Sequence, residues 1–547
     1  MAESSVGGKL SGIAVFIFAL KESCIFPEDF LRKLNGVSLL QRAIEQALAM
    51  GVESGSIHVI TDSEQANLVA SRLNVAGFLL GEDEDSPNNQ GGSVESYIEM
   101  MEAGQKLTFV LSVYAPLLQP STLRRIANDF VNGNALVGLP GRQEISSTFS
   151  SRVRTLPNLP THRLIQKKRI QCDAFSLFKP GIVLGSKVEK SAIDVFPVGD
   201  DAFEIKSLQS WWVCEKLLQR KRILFWVIGN RAVGAGHIYR SLTLAHELTD
   251  HEVIFAADSE SQLAIDELSG SGYQLLTLPR SDLVKEMIDL RPDLVVLDIL
   301  DTDSELVVRF SEAGVKVVSF EDLGEGSQHT DLTINELYDA PQRVGSHYRW
   351  GHQYYFVRDE FNAARQISLS KKVKGLLLTF GGTDQHDLSA KIFRQVCQFC
   401  AKRKIHIYIV TGPGYQEFKE LEKETKKYSH VTLTHATGII SKIMEKCDVA
   451  VTSNGRTVYE LAHMNIPSIV IAQHNREFTH SFATKENGFL PLGLYEPEST
   501  EKLVEKELNN LVTDASLREM LHQRMTRHHF TANKAVVLDM LRGCLDS

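Results

Sequence analysis

Apolar segments of strand length alternate with amphipathic helical segments along nearly the whole chain. This alternation is typical of parallel β-sheets that are covered by helices. In the first part of the chain it predicts strands at residues 12–20, 56–61 and 106–113 and a helix at 37–50. The expected fold class is therefore α/β.

A change of pattern near residue 220 marks a domain boundary. A predicted helix with basic residues in its last turn ends in Gln219–Arg222, and a new strand follows at once at 223–228. We therefore assign residues 1–219 to a first domain and expect a separate module after it.

The rest of the chain contains two successive series of apolar strands, separated by a polar segment at 362–374. The predicted strands lie at 223–228, 252–256, 294–297 and 316–320, and then at 375–380, 405–410, 449–452 and 468–472. Two such series predict two doubly wound domains, residues 220–365 and 366–547, that face each other across a ligand-binding cleft.

Composition narrows the class of protein. A chain of 547 residues is too long for one hydrophobic core, and its 43% hydrophobic and 23% charged residues are those of an ordinary soluble protein. A net charge of −9 gives no general attraction for nucleic acid or anionic membranes. The apolar stretch at 13–20 is much shorter than the roughly 20 residues that span a bilayer. We expect no nucleic-acid or membrane partner.

The cysteines indicate a reducing compartment. The seven cysteines are few for this length, odd in number and set among apolar neighbours, which favours free thiols in a cytoplasmic protein. Cys397 and Cys400 are close in sequence, but no second pair or histidine cluster follows at the spacing of a zinc site. We expect no metal site.

A glycine-rich segment at 229–240 joins the strand at 223–228 to a predicted helix at 241–249. Glycines such as Gly236 permit close backbone approach, and free amides at a helix N-terminus favour an anionic or oxygen-rich ligand. The first strand of an open α/β sheet delivers its loop to the ligand crevice, so His237 would lie there and could take a proton from a water or hydroxyl. The alternative is a histidine that only hydrogen-bonds its own loop, because a lone Gly-x-Gly-His motif is weak evidence.

Two loops in the second series of strands also carry residues that suit an anionic ligand. Glycines in the loop after the strand at 375–380 would let the backbone approach a phosphate, and the amides, hydroxyl and charges at 453–460 suit a diphosphate and a ribose. Each loop taken alone is more simply a plain turn, but together they indicate a nucleoside diphosphate. The candidate contacts are Gly381, Gly382, Thr383, Asn454, Gly455, Arg456, Thr457 and Glu460, the last for both ribose hydroxyls.

Residues 223 to about 490 resemble the nucleotide-sugar hydrolases of pseudaminic acid biosynthesis, which have the GT-B fold and are related to the MurG glycosyltransferase. The resemblance lies in several ordered motifs spread over this module. They are Gly234–Arg240 with Ser241–Leu248, Leu297–Ile299, Glu321–Leu323, Asp331–Asn335, Tyr354–Phe361, Gly381–Asp384 and Ser453–Glu460.

This resemblance implies a reaction and a set of roles. The family hydrolyses UDP from a 2,4-diacetamido-2,4,6-trideoxy sugar by attack of water at the anomeric carbon, without a metal or other cofactor. His237 would be the general base, Arg240 would help to shape the sugar side, and the loop at 453–460 would hold the uridine diphosphate. Three further residues would line the cleft, namely Asp298, Asp322 and Asn335.

Departures from the family pattern leave the substrate open. Arg456 stands where the hydrolases have a serine, and their Asn-Gln pair is represented by Asn475 followed by Arg476 and Glu477. Our first hypothesis is a UDP-sugar hydrolase of nonulosonic acid or surface-glycan biosynthesis, with Asn475 among its substrate contacts. The alternatives are a GT-B glycosyltransferase, in which an acceptor hydroxyl replaces the water, and a non-catalytic scaffold that binds a sugar nucleotide.

The first module is similar in layout to the cytidylyltransferases of CMP-activated nonulosonic acids, which have a GT-A-like nucleotidyltransferase fold. The segment Phe26–Leu40 and the strand end Val59–Ser63 carry this resemblance. The glycine-rich triphosphate loop of the family is replaced by Ala19–Cys24, and Lys206 stands at a metal-carboxylate position within Phe203–Lys206. We therefore expect a degenerate domain retained for binding, allostery or dimerisation, with a divergent active transferase as the alternative. The resemblance implies a homodimer formed through this domain.

Overall fold

The computed structural model describes residues 10–23, 25–80, 97–99, 104–147, 165–182 and 188–546, so that Cys24 of the first loop lies outside the described residues. The chain divides into two compact units, Met1–Arg220 and Lys221–Ser547. In the described ranges no helix combines the length and the apolar character that a bilayer crossing requires.

The first unit is built on one large mixed sheet. Its described strands are β1 (Ile13–Ala19), β2 (Lys33–Leu34), β3 (Val37–Ser38), β4 (Ile57–Thr61), β5 (Ala76–Leu79), β6 (Leu107–Ser112), β7 (Val137–Ser147), β8 (Ile165–Gln171), β9 (Phe175–Phe178) and β10 (Ile193–Val198). Its main helices are α1 (Leu39–Ala49), α2 (Glu64–Arg72), α3 (Pro120–Asn132) and α4 (Leu208–Leu218).

The order in this sheet is β10-β7-β9-β6-β1-β4-β5, with β8 paired to β7. Strands β1, β4, β5 and β6 are parallel, whereas β9 is antiparallel to β6. Strand β1 occupies the interior of the sheet because it is apolar on both faces. Helix α1 begins after Ser38, whose side chain accepts a hydrogen bond from the amide of Gln41 at 3.2 Å and caps the helix.

The second unit contains two fully parallel sheets. The strands of the first are β11 (Arg222–Val227), β12 (Glu252–Asp258), β13 (Gln274–Leu278), β14 (Leu294–Asp298), β15 (Lys316–Phe320), β16 (Leu332–Asn335) and β17 (Tyr348–Trp350). Its helices are α5 (Gly236–Ala245), α6 (Gln262–Ser269), α7 (Arg280–Asp289) and α8 (Ser304–Glu312). The strand order is β13-β12-β11-β14-β15-β16-β17.

The second sheet repeats this topology. Its strands are β18 (Gly375–Thr379), β19 (His406–Thr411), β20 (Val431–His435), β21 (Val449–Ser453), β22 (Ser468–Ala472) and β23 (Phe489–Leu494), in the order β20-β19-β18-β21-β22-β23. The helices are α9 (Leu388–Arg403), α10 (Phe418–Thr425), α11 (Ser441–Met444), α12 (Thr457–His463), α13 (Asn475–Thr479), α14 (Ser499–Thr513), α15 (Ala515–Met525) and α16 (Asn533–Asp546).

In both sheets the strand order reverses beside the first strand, between β11 and β14 and between β18 and β21. A doubly wound sheet opens its ligand crevice at this point, at the carboxyl ends of the strands. Two such sheets in one compact unit form the GT-B arrangement. The predicted fold class, α/β with a doubly wound pair after a mixed nucleotidyltransferase-like sheet, is confirmed.

The two halves of the second unit are joined by exchange of segments. Residues that follow β16, including Tyr338 and Phe361, pack in one hydrophobic core with Tyr459 and Phe482 of the second half. In return, the last helix, α16, packs among the core residues of the first half through Val537, Leu538, Leu541 and Leu545. Each half is therefore completed by chain that belongs in sequence to the other.

Helix α5 differs from its predicted bounds in a way that matters for the site. The sequence predicted a loop to Arg240 and a helix from Ser241, but the helix begins at Gly236. His237 and Arg240 are consequently in its first turns and share one face, because residues three apart on a helix are neighbours.

Candidate active site

A cavity of about 550 Å³ lies between the two halves of the second unit. From the first half it is lined by the glycine-rich turn, by the start of α5 and by residues that follow β14, β15 and β16, among them Leu300, Glu321 and Leu337. From the second half it is lined by the segments that follow β18, β19, β20, β21 and β22. All of these segments leave the carboxyl ends of parallel strands, where doubly wound sheets bind their ligands.

His237 and Asp298 form a buried pair at the edge of this cavity. Asp298 is the last residue of β14, and its Oδ1 atom lies 2.6 Å from Nδ1 of His237. An ionised carboxylate only accepts hydrogen bonds, so this contact requires a proton on Nδ1, and in the neutral ring Nε2 is then the acceptor. Because His237 lines the cavity, Nε2 is placed to take a proton from a molecule held there.

Arg240 fixes three carboxylates from the next turn of α5. Its buried guanidinium donates from Nε to Asp298 Oδ2 at 3.0 Å and from Nη1 to Glu321 Oε1 at 2.7 Å, and it also contacts Glu336. One face covers the ring of Phe320 at 4.8 Å. Arg240 therefore positions acidic groups around the cavity and has little charge left to offer a ligand.

These contacts keep the carboxylates ionised. Burial on its own would raise the pKa of Asp298, but the neighbouring Arg240 and His237 prevail and lower this pKa to about 2. Burial likewise opposes ionisation of Glu321, and Arg240, His237 and Arg456 hold the pKa of that carboxyl well below its usual range. Both groups are hydrogen-bond acceptors at neutral pH.

Arg456 reaches the same cluster from the second half. Its Nη1 atom contacts Glu336 and lies 3.5 Å from Glu321 Oε1. The guanidinium covers the ring of Tyr355 at 4.6 Å, and the Tyr355 hydroxyl donates to the main-chain oxygen of Arg456 at 3.1 Å. The sequence predicted a contact between Arg456 and a diphosphate, whereas in the structure its charge is engaged by carboxylates of the facing half.

Two glycines permit the close approach of the halves at the cavity. A Cβ atom on Gly236 would come within 2.8 Å of the Arg456 side chain, and one on Gly382 would lie 2.9 Å from the backbone nitrogen of Ala235. Both distances are shorter than real Cβ contacts allow. These glycines are therefore required by the packing of one loop against the other.

Glu460 lines the cavity from the second half of the unit. One of its oxygens, Oε1, accepts a hydrogen bond from Nε of Arg358 at 3.0 Å. Arg358 in turn forms an ion pair with Glu360 at 2.9 Å. The proposed ribose contact of Glu460 would therefore use its remaining oxygen.

The structure brings most of the candidate residues to the cavity. The residues that line it are Gly236, His237, Arg240, Gly381, Gly382, Thr383, Gly455, Arg456, Thr457 and Glu460. Five others are placed elsewhere: Asp298 acts from behind His237, and Asp322, Asn335, Asn454 and Asn475 are not among the lining residues.

Asp322 and Asn335 have contacts that stabilise loops. The Asp322 carboxylate accepts hydrogen bonds from the amide and hydroxyl of Thr302 at 3.0 and 2.6 Å and from the amide of Gly324 at 2.8 Å. Asn335 donates to the main-chain oxygen of Asp322 at 3.2 Å. Both side chains are buried, and they hold the segments that present their neighbours Glu321 and Glu336.

Near residue 475 the cavity residues are the two that follow Asn475. Asn475 is exposed at the start of α13, whereas Arg476 and Glu477 line the cavity. Arg476 binds the main-chain oxygen of Glu321 across the cleft and pairs with Asp301 at 2.9 Å. Glu477 accepts from the amide of Gln473 at 2.7 Å, and burial raises its pKa to about 7.

Sequence reasoning overlooked Glu321 and Glu336, although a signal for them existed. Each is the first residue after a buried parallel strand, Glu321 after β15 and Glu336 after β16. The carboxyl ends of such strands face the crevice, so an acidic residue at this position is a site candidate. The residues predicted from the sequence, Asp322 and Asn335, are their immediate neighbours in the chain.

The absence of a metal site and the degeneracy of the first domain remain predictions from the sequence. Among the described residues no group of three or more His, Cys, Asp or Glu side chains is arranged to hold a metal ion. In the first unit, Lys206 pairs with Glu204 at 3.0 Å, and Glu204 also accepts from the amide of Asp173 at 2.9 Å. A lysine therefore neutralises the carboxylate nearest to the expected metal position.

Comparison with known proteins identifies relatives of low identity, and no family model matches the chain. An uncharacterized protein of Methanocaldococcus jannaschii is 26% identical over 266 residues, which cover 45% of this chain and 54% of that protein. The spore coat polysaccharide biosynthesis protein SpsG of Bacillus subtilis is 25% identical over 54% of this chain and 90% of its own length. The chain thus spans about half the length of the archaeal relative.

Two relatives have names that state an activity. The UDP-2,4-diacetamido-2,4,6-trideoxy-beta-L-altropyranose hydrolase of Campylobacter jejuni is 27% identical over 48% of this chain and 97% of its own length. A Helicobacter pylori protein named as both a pseudaminic acid cytidylyltransferase and this hydrolase is 27% identical over 30% of this chain and 28% of that protein.

The similarity to solved structures is lower. Acinetobacter baumannii MurG covers 59% of the chain at 13% identity with a TM-score of 0.42, and a CMP-2-keto-3-deoxy-manno-octonic acid synthetase covers 38% at 13% identity with a TM-score of 0.28. The resemblance found in the sequence is confirmed by the curated relatives, which include a UDP-diacetamido-trideoxy-altropyranose hydrolase and a fusion of that hydrolase with a pseudaminic acid cytidylyltransferase.

Proposed function

We propose that the second unit is a sugar-nucleotide hydrolase that releases UDP from a diacetamido-trideoxyhexose in nonulosonic acid or surface-glycan biosynthesis. The relatives named as such hydrolases support the class of substrate at a coarse level. The observation that carries the proposal is the contact of His237 with Asp298, which leaves the second ring nitrogen as an acceptor beside the cavity.

In this proposal His237 acts as a general base. It takes a proton from water through Nε2 while the water oxygen forms a bond to the anomeric carbon, and the bond from that carbon to the diphosphate oxygen breaks. The imidazolium that forms lies beside the ionised Asp298, which stabilises it. The products are UDP and the free sugar.

The second half of the cavity is assigned to the nucleotide. Gly381, Gly382 and Thr383 would meet phosphate oxygens through main-chain amides and a hydroxyl, together with Gly455 and Thr457 on the facing loop. Glu460 would bind a ribose hydroxyl with the oxygen that Arg358 does not use. Backbone amides at these loops suit a diphosphate because they supply donors without the cost of ordering side chains.

The test incubates the full chain with UDP-2,4-diacetamido-2,4,6-trideoxy-β-L-altropyranose and no acceptor. Chromatography measures the UDP that is released. Wild type is expected to release UDP and free sugar, and His237→Ala is expected to lose at least about 10²-fold in kcat. His246→Ala, which alters an exposed histidine at the end of the same helix, should have wild-type activity.

The same assay distinguishes the alternatives. Cleavage that requires an added acceptor would identify a glycosyltransferase and contradict the hydrolase. Binding of the nucleotide sugar with no cleavage under either condition would identify a non-catalytic scaffold.

The proposal also covers the activity of the first unit, the cell compartment, the metal requirement and the oligomeric state. We assign no cytidylyltransferase activity to the first unit, because its loop and metal position depart from the family pattern. A cytoplasmic location, a metal-free reaction and a homodimer through the first unit complete the proposed description.

A further inference from the structure

We propose that Glu321 is the second acceptor for the attacking water, and that its pairing with His237 makes the site selective for water over alcohols as the nucleophile. This inference rests on the proposed hydrolase function and names a catalytic contact for a residue that the sequence motif left without a role.

The distance between the two acceptors fits one bridging molecule. Nε2 of His237 lies 3.8 Å from Oε2 of Glu321, which is too long for a direct hydrogen bond. A single water with its oxygen about 2.8 Å from each atom bridges such a gap. Both residues line the cavity, so the bridging position is open to the ligand.

His237 is an acceptor at this position because Asp298 holds its other nitrogen. The 2.6 Å contact of Nδ1 with Asp298 Oδ1 requires a proton on Nδ1. Nη2 of Arg240 also lies near Nδ1, at 3.1 Å, but it donates to Asp298 Oδ1 instead. In the neutral ring, the form that can act as a base, Nε2 therefore has a free lone pair for a hydrogen of the water.

Glu321 is fixed as an acceptor by its other contacts. Its Oε1 atom accepts from Arg240 at 2.7 Å and faces Arg456 at 3.5 Å, while Oε2 is the oxygen on the His237 side. Two guanidinium groups on one oxygen keep the carboxylate ionised and prevent it from competing with His237 for the proton. Base and acceptor thus have separate roles.

The backbone at Glu321 is held in an unusual conformation. Its φ angle is +53°, a left-handed value that a residue with a side chain rarely adopts and that costs on the order of 1 kcal/mol or more. Its amide donates to Ile334 at 3.0 Å, and Arg476 donates to its carbonyl from across the cleft. Strain held in place from both sides is typical of functional positions.

The pair distinguishes water from an alcohol by the number of hydrogens. Water donates one hydrogen to Nε2 and the other to Oε2, which aims a lone pair of its oxygen away from both acceptors and toward the anomeric carbon. When His237 takes its proton, the oxygen bonds to that carbon, UDP departs with the electron pair of the broken bond, and the second hydrogen stays on the product hydroxyl. An alcohol has one hydrogen, so it would leave the Glu321 oxygen unpaired at a cost of about 1–3 kcal/mol.

The experiment measures how the products divide when methanol competes with water. The full chain is incubated with UDP-2,4-diacetamido-2,4,6-trideoxy-β-L-altropyranose and methanol, and free sugar and methyl glycoside are counted by mass spectrometry. Wild type is expected to give free sugar almost alone. In Glu321→Ala and Glu321→Gln, kcat for hydrolysis should fall and the ratio of methyl glycoside to free sugar should rise at least tenfold.

One control variant and a conservative test variant separate the possible failures. Glu325→Ala removes an exposed carboxylate four residues away and should leave the product ratio unchanged. If Glu321→Ala does not fold, the isosteric Glu321→Gln decides. Two outcomes would overturn the role of Glu321 alone. In the first, wild type cleaves the substrate and both variants keep its ratio of methyl glycoside to free sugar. In the second, wild type itself makes methyl glycoside readily. Wild type that cleaves nothing would overturn the hydrolase function and this inference with it.

Discussion

Asp298 accepts the Nδ1–H of His237 at 2.6 Å, while its other oxygen accepts from Arg240 at 3.0 Å and from Ser241 at 2.9 Å. One carboxylate therefore orients the proposed base and the guanidinium beside it. Because Asp298 is fully buried at the end of β14, it can act on a ligand only through these partners.

Replacing Asp298 by asparagine tests whether its carboxylate sets the tautomer of His237. The amide can donate to Nδ1 and so place the ring proton on Nε2, where it blocks the base, and we expect kcat to fall by about 10²–10⁴-fold with KM nearly unchanged. Ser241→Ala removes only a neighbouring hydrogen bond and should change kcat by no more than a few fold. An Asp298→Asn variant with wild-type kcat would show that the tautomer of His237 is not important.

Glu477 should make the stability of the protein depend on pH. Its folded pKa of about 7 lies above its unfolded value of about 4.5, so the folded state retains a proton that the unfolded state loses between these values. Its contribution to stability is therefore present below about pH 4.5 and is lost as pH rises through about 7. Glu477→Gln mimics the protonated acid and should raise the free energy of unfolding by roughly 1–3 kcal/mol at pH 8, and by much less at pH 4.

Denaturant unfolding at the two pH values measures this difference. The exposed Glu420→Gln is the control and should give the same small change at both. Equal effects of Glu477→Gln at pH 4 and pH 8 would contradict the raised pKa.

Gly382→Ala tests the contact between the two cavity loops. The added methyl would lie 2.9 Å from the backbone nitrogen of Ala235, so one loop must move away, at an expected cost of about 1–3 kcal/mol in stability and with weaker binding of UDP. Gly543→Ala, at an exposed position in α16 with no atom within 4 Å of the new carbon, should instead stabilise by about 0.5–1 kcal/mol. Thermal melts and calorimetry with UDP measure both effects, and unchanged UDP affinity in Gly382→Ala would argue against a ligand between these loops.

Glu460 should account for recognition of the ribose. With Oε1 engaged by Arg358, the remaining oxygen is available for a ribose hydroxyl. We expect UDP to bind wild type about tenfold more tightly than 2′-deoxy-UDP, and this preference to shrink to about twofold in Glu460→Gln. Calorimetry with both nucleotides measures it, and the exposed Glu519→Gln should retain the full preference. A preference of the same size in Glu460→Gln would assign the ribose to another residue.

The first unit should not bind CTP with Mg²⁺. Lys206 lies 3.0 Å from Glu204 and opposes a cation at that carboxylate. Calorimetry on the full chain should detect heat with UDP and none with CTP and Mg²⁺. Tight binding of CTP would contradict the assignment of a degenerate domain.

The central strands of the second unit could be predicted from the sequence, but its edge strands and the short interior strand β16 could not. The strands β11, β14, β18 and β21 are apolar on both faces and read as continuous apolar runs. The strands β13 and β20 lie at sheet edges, and most of their residues are half-exposed. Their mixture of polar and apolar residues therefore resembles that of a loop. A strand that packs against the core on one face has a hydrophobic pattern too weak to predict it from the sequence.

The candidate site was predictable only where one loop carries the signal. His237 follows a glycine-rich turn, and its place beside Asp298 agrees with the rule for strand ends. The contacts of Arg456 with Glu321 and Glu336 join residues more than a hundred positions apart and depend on how two halves meet, which no local pattern records. For the same reason the sequence does not show that Arg476 and Glu477, rather than Asn475, line the cavity: side-chain direction at the start of α13 is set by tertiary packing.

Helix α16 also has a consequence for the order in which the protein is made. It supplies Val537, Leu538, Leu541 and Leu545 to the core around β11, a strand that leaves the ribosome some three hundred residues earlier. Nascent chains that contain the first half must wait with part of its apolar surface uncovered until residues 537–545 have also been made. The first half is therefore the part of this unit that most needs chaperone protection during synthesis.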